Sequence, residues 1–155
     1  MDCMVDDQHF MDLAIAQAEA AAEMGEVPVG AVVVHQGKVI SQAHNRREVD
    51  GDPTAHAELI AMREAAAVIG DWRLEECTVY VTLEPCAMCA GLMVNARVKR
   101  CVYGTTDPRG GFLGTLGDLS CHPVLNHRFE VDSGVQGEAA SELLRSFFRK
   151  VRAKK

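Results

Sequence analysis

Between Cys77 and Tyr103 two short apolar segments, Cys77–Leu83 and Val98–Tyr103, flank a helix-like stretch, Pro85–Ala96. A strand, a short helix and a second strand in that order cannot make a hairpin. The helix must carry the chain back over the sheet, so the two strands are expected to pair in parallel. A parallel pair needs cover on both faces, and the rest of the chain offers it. Phe10–Met24 is Ala-rich, with Leu13, Ile15, Ala16 and Ala20 read as its apolar face and Gly25 as its stop. Ala55–Ile69 places Leu59, Ile60, Met62, Ala66 and Ile69 at helical spacing before Gly70. Glu138–Val151 does the same with Leu143, Leu144, Phe147, Phe148 and Val151.

Two further strands come from Val29–His35 and Lys38–His44, joined by Gln36-Gly37 as a tight hairpin turn. Phe129–Val131 is expected to be a brief edge strand, and Gly110, Gly111, Gly114 and Gly117 mark an intervening loop. No repeat, linker or low-complexity segment interrupts this order. The alternation predicts an α/β fold: one domain over residues 1–155, with a mixed five-stranded sheet covered by helices on both faces. At 155 residues, 48% of them hydrophobic, the chain has the apolar content for such a core.

The longest apolar run, residues 27–35, is far short of the roughly 20 residues that cross a bilayer, and no basic segment precedes an apolar one near residue 1. A secreted or membrane-spanning protein is therefore not expected. Six cysteines, two of them spaced as Cys86-x-x-Cys89, suit a reduced, cytoplasmic, metal-binding protein better than a disulfide scaffold. Cys3, Cys77, Cys101 and Cys121 read as ordinary thiols. The net charge of −6 argues against a polyanionic partner only on average. Residues 1–26 hold seven acids and no Lys or Arg, whereas the last eleven residues carry Arg145, Arg149, Lys150, Arg152, Lys154 and Lys155 and no acid. By charge alone that tail is a solvated helix end, but it leaves an RNA partner open.

The chemistry concentrates at the starts of two expected helices. His56 follows Pro53-Thr54-Ala55, and Cys86 and Cys89 follow Glu84-Pro85. Residues i and i+3 share a helical face, so the two sulfurs can grip one ion, and a helix N-terminus favours thiolate. One His and two Cys are three ligands, which leaves a tetrahedral position for water; that open position separates catalytic from structural zinc. Glu58, two residues beyond His56, is placed to overhang it as a proton shuttle. A neutral Zn(Cys)2(His) set acidifies water weakly, so a nearby base is needed.

His56-Ala57-Glu58 with Pro85-Cys86-Ala87-Met88-Cys89, separated by 26 residues between Glu58 and Pro85, is the zinc-deaminase signature. Together with Glu26-Val27-Pro28-Val29-Gly30, Asn45-Arg46-Arg47-Glu48, Asp52-Pro53-Thr54-Ala55, Asn126-His127 and Phe147-Phe148-Arg149, the chain resembles the bacterial tRNA adenosine deaminases over nearly its whole length. That resemblance implies a cytidine-deaminase-like α-β-α sandwich, a homodimer, one zinc per chain and a tRNA anticodon stem-loop as substrate. The wobble adenosine would become inosine by attack of a zinc-bound hydroxide at C6.

The resemblance further implies that Asn45 bonds the base and ribose, that Val29, Leu83 and Phe148 wall or cover the nucleotides, and that Asp107 and Arg149 contact substrate. By residue type alone Asn45 is a turn residue, Val29, Leu83 and Phe148 are core, and Asp107 caps a loop. His9, His35, His44, His122 and His127 lack ligand spacing, and the Asn126-His127 match has no part in the zinc chemistry. Met88–Met93 reads as helical core or dimer interface. Thr105-Thr106 and Ala139-Ala140 depart from the family pattern without touching the zinc set. Two rival readings stand beside this one. The first is a free-base or nucleotide deaminase on the same fold, of cytosine, guanine or dCMP type. The second is a zinc-stabilised binding module, which would need a fourth ligand and has no use for Glu58.

Overall fold

A computed structural model describes residues 3–154, with side chains from residue 6 onward; the Cys3 side chain and Lys155 lie outside the described residues. Helix α1 (Cys3–Glu23) leads into the hairpin β1 (Gly30–His35) and β2 (Lys38–His44), followed by a one-turn helix α2 (Arg47–Asp50) and helix α3 (Ala57–Ile69). Strand β3 (Cys77–Leu83), helix α4 (Ala87–Asn95) and strand β4 (Arg100–Thr105) form the expected crossover, and β5 (Glu130–Ser133) and α5 (Gly137–Ala153) complete the order. The five strands lie in the order β2-β1-β3-β4-β5. β1 is antiparallel to β2 and β3, while β3, β4 and β5 run parallel, so the sheet is mixed as the strand-helix-strand spacing requires.

Alternation along the strands sorts two cores. Ala31, Val33, Val79, Val81, Cys101 and Tyr103 pack with residues of α3 and α4, whereas Val32, Val34, Tyr80 and Val102 pack with Met11 and Ala14 of α1. Helix α5 joins α1 on the second face, resting on β4 and β3. The hairpin turn has positive φ at both central residues, Gln36 (51°) and Gly37 (79°), as a type I′ turn demands.

Several elements differ from their sequence reading; β5 runs Glu130–Ser133 rather than Phe129–Val131. Helix α1 starts at Cys3 rather than Phe10, and its buried face is Met11, Ala14, Ala18 and Ala21; Ala16 is exposed, while Leu13, Ile15 and Ala20 are half-buried. Small residues are required there because a Cβ on Gly30 would lie 2.0 Å from the Ala14 carbonyl oxygen, so the helix backbone presses on β1. Strand β4 begins at Arg100, not Val98. Arg97 has φ 61°, Val98 N–H bonds the Met93 carbonyl (3.0 Å) and Arg97 N–H the Val94 carbonyl (3.2 Å), so both residues close a Schellman end to α4. The Arg97 guanidinium also donates to the Val94 and Asn95 carbonyls and lies over the Trp72 ring. The helix α2, unread in the sequence, is too short for a periodic signal.

His127 finds its role here. Its ring Nε2 lies 2.7 Å from the Val98 carbonyl and the ring stacks on Phe129, pinning the segment before β5 beside the Schellman turn. Among the described residues the cysteines are free, and no helix is long and apolar enough to cross a membrane. Met93 is core, while Met88 is 37% exposed.

A partly buried ion pair ties α1 across the sheet. The Asp7 carboxylate accepts from the Arg100 guanidinium (2.9 and 2.7 Å) and the Tyr80 hydroxyl (2.6 Å), and Arg100 also pairs with Asp132. The Arg100 hydrogen bonds hold the Asp7 carboxyl below its ordinary 3.8. A depressed carboxylate stabilises the fold above the unfolded pKa and loses that contribution as pH falls through the folded one. Asp7→Asn is therefore expected to lower the unfolding free energy by about 2 kcal/mol at pH 7. The gap to the unaltered protein should narrow below about pH 4, which denaturant melts across pH will read.

Candidate active site

Both helices that flank the site begin with residues that do not cap them. His56 is the N-cap of α3 and Cys86 the N-cap of α4, each in extended backbone and neither making a side-chain cap bond. Ser, Thr, Asp or Asn would stabilise those ends better, so the two side chains are released for another task. Cys89, fully buried in the first turn of α4, points to the same place. The donor atoms of His56, Cys86 and Cys89 all lie within 4.8 Å of one another.

The geometry tests whether zinc fits. The His56 Nδ1 atom is 3.6 Å from the Cys86 sulfur and 3.7 Å from the Cys89 sulfur. With Zn–S near 2.3 Å and Zn–N near 2.05 Å, the S–N edge of a tetrahedron is about 3.6 Å, so the two separations suit one ion. The donor chemistry agrees: a hydrogen bond from Cys89 and a second from His56 pull the Cys86 thiol down to about 4. Hydrogen bonding to the same Cys86 sulfur raises Cys89 and His56. Burial instead pushes the Cys77 thiol up to about 11 and raises Cys101, so these remain inert thiols. Among the described residues the cluster has three members, and no fourth ligand joins it.

Glu58 lies in the first turn of α3, 4% exposed, lining the same cavity as His56 and Cys86. Burial pushes its carboxyl up to about 7, partly opposed by the charge of His56. A carboxyl poised near neutrality can both take and return a proton.

The cavity, about 180 Å³, is lined also by Val27, Val29, Asn45, Leu83, Glu84 and Asp107, a mixture of apolar walls and polar groups. Val29, Asn45, Leu83 and Asp107 thus line one cavity with His56, Glu58 and Cys86. Asn45 makes the turn that its residue type suggests: its Oδ1 accepts from Arg47 N–H (3.1 Å), and its Nδ2 donates to the Val27 carbonyl (3.2 Å). One amide hydrogen and one lone pair remain for a ligand. Asp107 likewise caps its loop, accepting from Arg109 and Gly110 N–H groups.

Phe148 and Arg149 do not reach this cavity. They line a neighbouring groove with Thr106, Pro108, Arg109, Leu144, Arg145 and Arg152, which shares Val27, Leu83 and Asp107 with the inner cavity. Phe148 is 42% exposed, and Arg145 and Arg149 pair with Glu142 on their own helix. These exposed pairs are weak and exchange readily for a polyanion. Four arginines and one aspartate line the groove, and of the arginines Arg109 and Arg152 make no ion pair among the described residues.

Sequence reading missed Arg47, which lines the cavity, and Glu26, which is 1% exposed and accepts from the Glu48 and Val49 N–H groups. Glu26 thereby holds α2, and with it Arg47, at the cavity rim. A buried acid 22 residues before its donors leaves no local signal.

Comparison with known proteins agrees with this architecture. The model of the MafB19-like deaminase family matches residues 5–152. The tRNA-specific adenosine deaminase of Bacillus subtilis (strain 168) is 49% identical over 152 residues, 98% of this chain and 94% of its own. That of Agrobacterium fabrum (strain C58) is 42% identical, covering 96% and 98%. A solved structure from studies of A-to-I editing by tRNA:A34 deaminases at the wobble position of transfer RNA superposes with a TM-score of 0.85 at 42% identity. It covers 88% of this chain and 99% of its own. The cytidine-deaminase-like sandwich expected from the motifs is the fold observed.

Proposed function

Since the chain belongs to the MafB19-like deaminase family, among its tRNA-specific adenosine deaminases, we infer that its reaction is hydrolysis of the wobble adenosine of a tRNA anticodon to inosine and ammonia. Residues 1–155 act as a single deaminase domain in this reading. The observation that carries it is the junction of two cavities: a narrow one holding His56, Glu58, Cys86 and Cys89, and a basic, aromatic groove that shares its rim. A free-base deaminase has no use for the second cavity. A structural zinc module has no use for Glu58.

His56, Cys86 and Cys89 would hold one zinc ion, which when bound supplies the Lewis acidity that makes water a nucleophile toward purine C6 near neutral pH. Glu58 takes the proton that the attacking water loses and passes it to adenine N1. It then carries the second proton to the departing amine, so that one water enters and one ammonia leaves. Asn45 orients the nucleoside with its remaining amide hydrogen and lone pair. Val29 and Leu83 exclude water from the base, and Arg47, without an ion-pair partner among the described residues, faces the entering polyanion.

A base must leave the anticodon stack to reach so recessed a site, and its neighbours must recover that cost. Phe148 offers a stacking face, Arg149 and Arg152 meet phosphates, and Asp107 bounds the path between groove and cavity. The family resemblance supports a homodimer working in the cytoplasm.

The deciding experiment compares ammonia release from an anticodon stem-loop, free adenosine, cytosine, guanine and dCMP. Activity on the stem-loop alone is expected; equal or better activity on a free base would overturn the reading. Phe148→Ala is expected to raise the stem-loop KM about tenfold, since stacking one base contributes about 1–3 kcal/mol. Arg152→Ala should flatten the dependence of log Kd on log salt by about 0.7, one single-strand phosphate contact. Unchanged values in both variants would mean that RNA is held elsewhere.

A further inference from the structure

Glu84, directly before Pro85-Cys86, is only 2% exposed, and no Arg or Lys pairs with it among the described residues. Four donors from a single segment converge on it instead. Its Oε1 accepts from Asp107 N–H (3.0 Å) and the Thr115 hydroxyl, and its Oε2 from the Leu113 (3.0 Å) and Thr115 (3.1 Å) N–H groups. Gly111 completes the wrap: a Cβ there would lie 2.3 Å from the Glu84 carboxyl carbon. Two backbone bonds seal the junction, Glu84 N–H to the Thr105 carbonyl (2.8 Å) and Phe112 N–H to the Pro85 carbonyl (2.9 Å).

The segment so gathered begins at Asp107, which with Val27 and Leu83 is common to the inner cavity and the outer groove. Its glycines leave it little intrinsic stiffness, and besides local backbone bonds such as Gly111 N–H to the Asp107 carbonyl it is anchored by the carboxylate. Only an acceptor-only group with two oxygens satisfies all four donors. A glutamine would turn its NH2 toward at least one N–H group in either orientation.

We propose that Glu84 is a positioning residue for the RNA substrate: its carboxylate fixes the 107–115 segment as the wall between purine cavity and groove, and thereby governs how tightly a polynucleotide is held. It acts through the segment and takes no proton in the reaction. The proposal rests on the RNA reading above. A merely stabilising buried acid would lower the melting temperature and leave KM alone.

The test uses the full chain loaded with zinc, as Glu84→Gln, Gly111→Ala and Thr115→Val, assayed on an anticodon stem-loop well below each melting temperature. Glu84→Gln is expected to raise KM about tenfold with kcat held within about threefold, and to speed amide exchange at Asp107, Leu113 and Thr115 by about 10- to 100-fold while the sheet stays protected. Gly111→Ala, which displaces the segment from the other side, should give the same pattern and carries the test if Glu84→Gln fails to fold. Thr115→Val should shift KM less than either. Folded variants with unchanged exchange, or with unchanged KM, would overturn the proposal, as would a fall in kcat at constant KM. Absence of stem-loop deamination by the unaltered protein overturns the RNA reading itself, and is distinguished from those outcomes because there the unaltered protein is active.

Discussion

Glu58→Gln is expected to bind zinc and fold normally yet lose deamination by at least about 10⁴-fold. General acid–base transfer contributes about 10²–10⁴-fold for one positioned group, and here the same carboxyl serves the water, the ring nitrogen and the departing amine. The substituted amide would keep the shape of the carboxyl but could not accept the first proton. The fold should not suffer, because Glu58 is 4% exposed and a neutral amide costs less to bury than a carboxylate. Single-turnover rates on an anticodon stem-loop, with metal content measured on the same sample, decide the matter. Near-normal turnover in a zinc-loaded variant would remove Glu58 from the mechanism.

Cys86→Ala is expected to lower zinc from about one ion per chain to less than about a tenth, with activity lost in proportion. Three converging donors are few for an ion in a protein, and removing the half-buried thiolate leaves only a buried thiol and an imidazole. The unaltered protein should melt at a higher temperature with zinc than after chelation, since a ligand that binds only the folded state stabilises it by mass action. That difference should vanish in the variant. Elemental analysis showing one retained zinc, or two per chain in the unaltered protein, would sink the three-donor assignment.

The legibility of this protein follows the range of its interactions. The Gln36-Gly37 hairpin, the Gly70 helix stop and the strand-helix-strand unit from Cys77 onward are local, so residue order alone specifies them. The candidate metal donors were readable in part for the same reason, since Cys86 and Cys89 are one turn apart; His56, 30 residues before Cys86, was legible as a donor from its helix start and the motif it shares. Asn45 was readable as a turn and proves to be one, bonding two residues ahead.

Polar contacts between distant parts of the chain carry no periodic signature and emerged only in three dimensions. Asp7 reaches Arg100 across 93 residues, Glu84 gathers donors 23 to 31 residues away, and His127 closes on Val98 across 29. Helix α1 hid its face because alanine is nearly silent in a hydrophobic pattern, and only the approach of the helix to Gly30 makes Ala14 and Ala18 core.

By itself, then, the sequence determined the longer elements, the β1–β2 hairpin, the parallel sense of β3 and β4, and the candidate donors His56, Cys86 and Cys89, because short-range dihedral preferences and one-turn spacings mark these. The tertiary structure alone decided that Phe148 and Arg149 belong to an outer groove and Arg47 to the inner cavity. It also brought the buried Glu84 carboxylate against four donors of residues 107–115. A cavity is the space left when distant elements pack, and that packing is set by volumes and unpaired polar groups brought together from the whole chain.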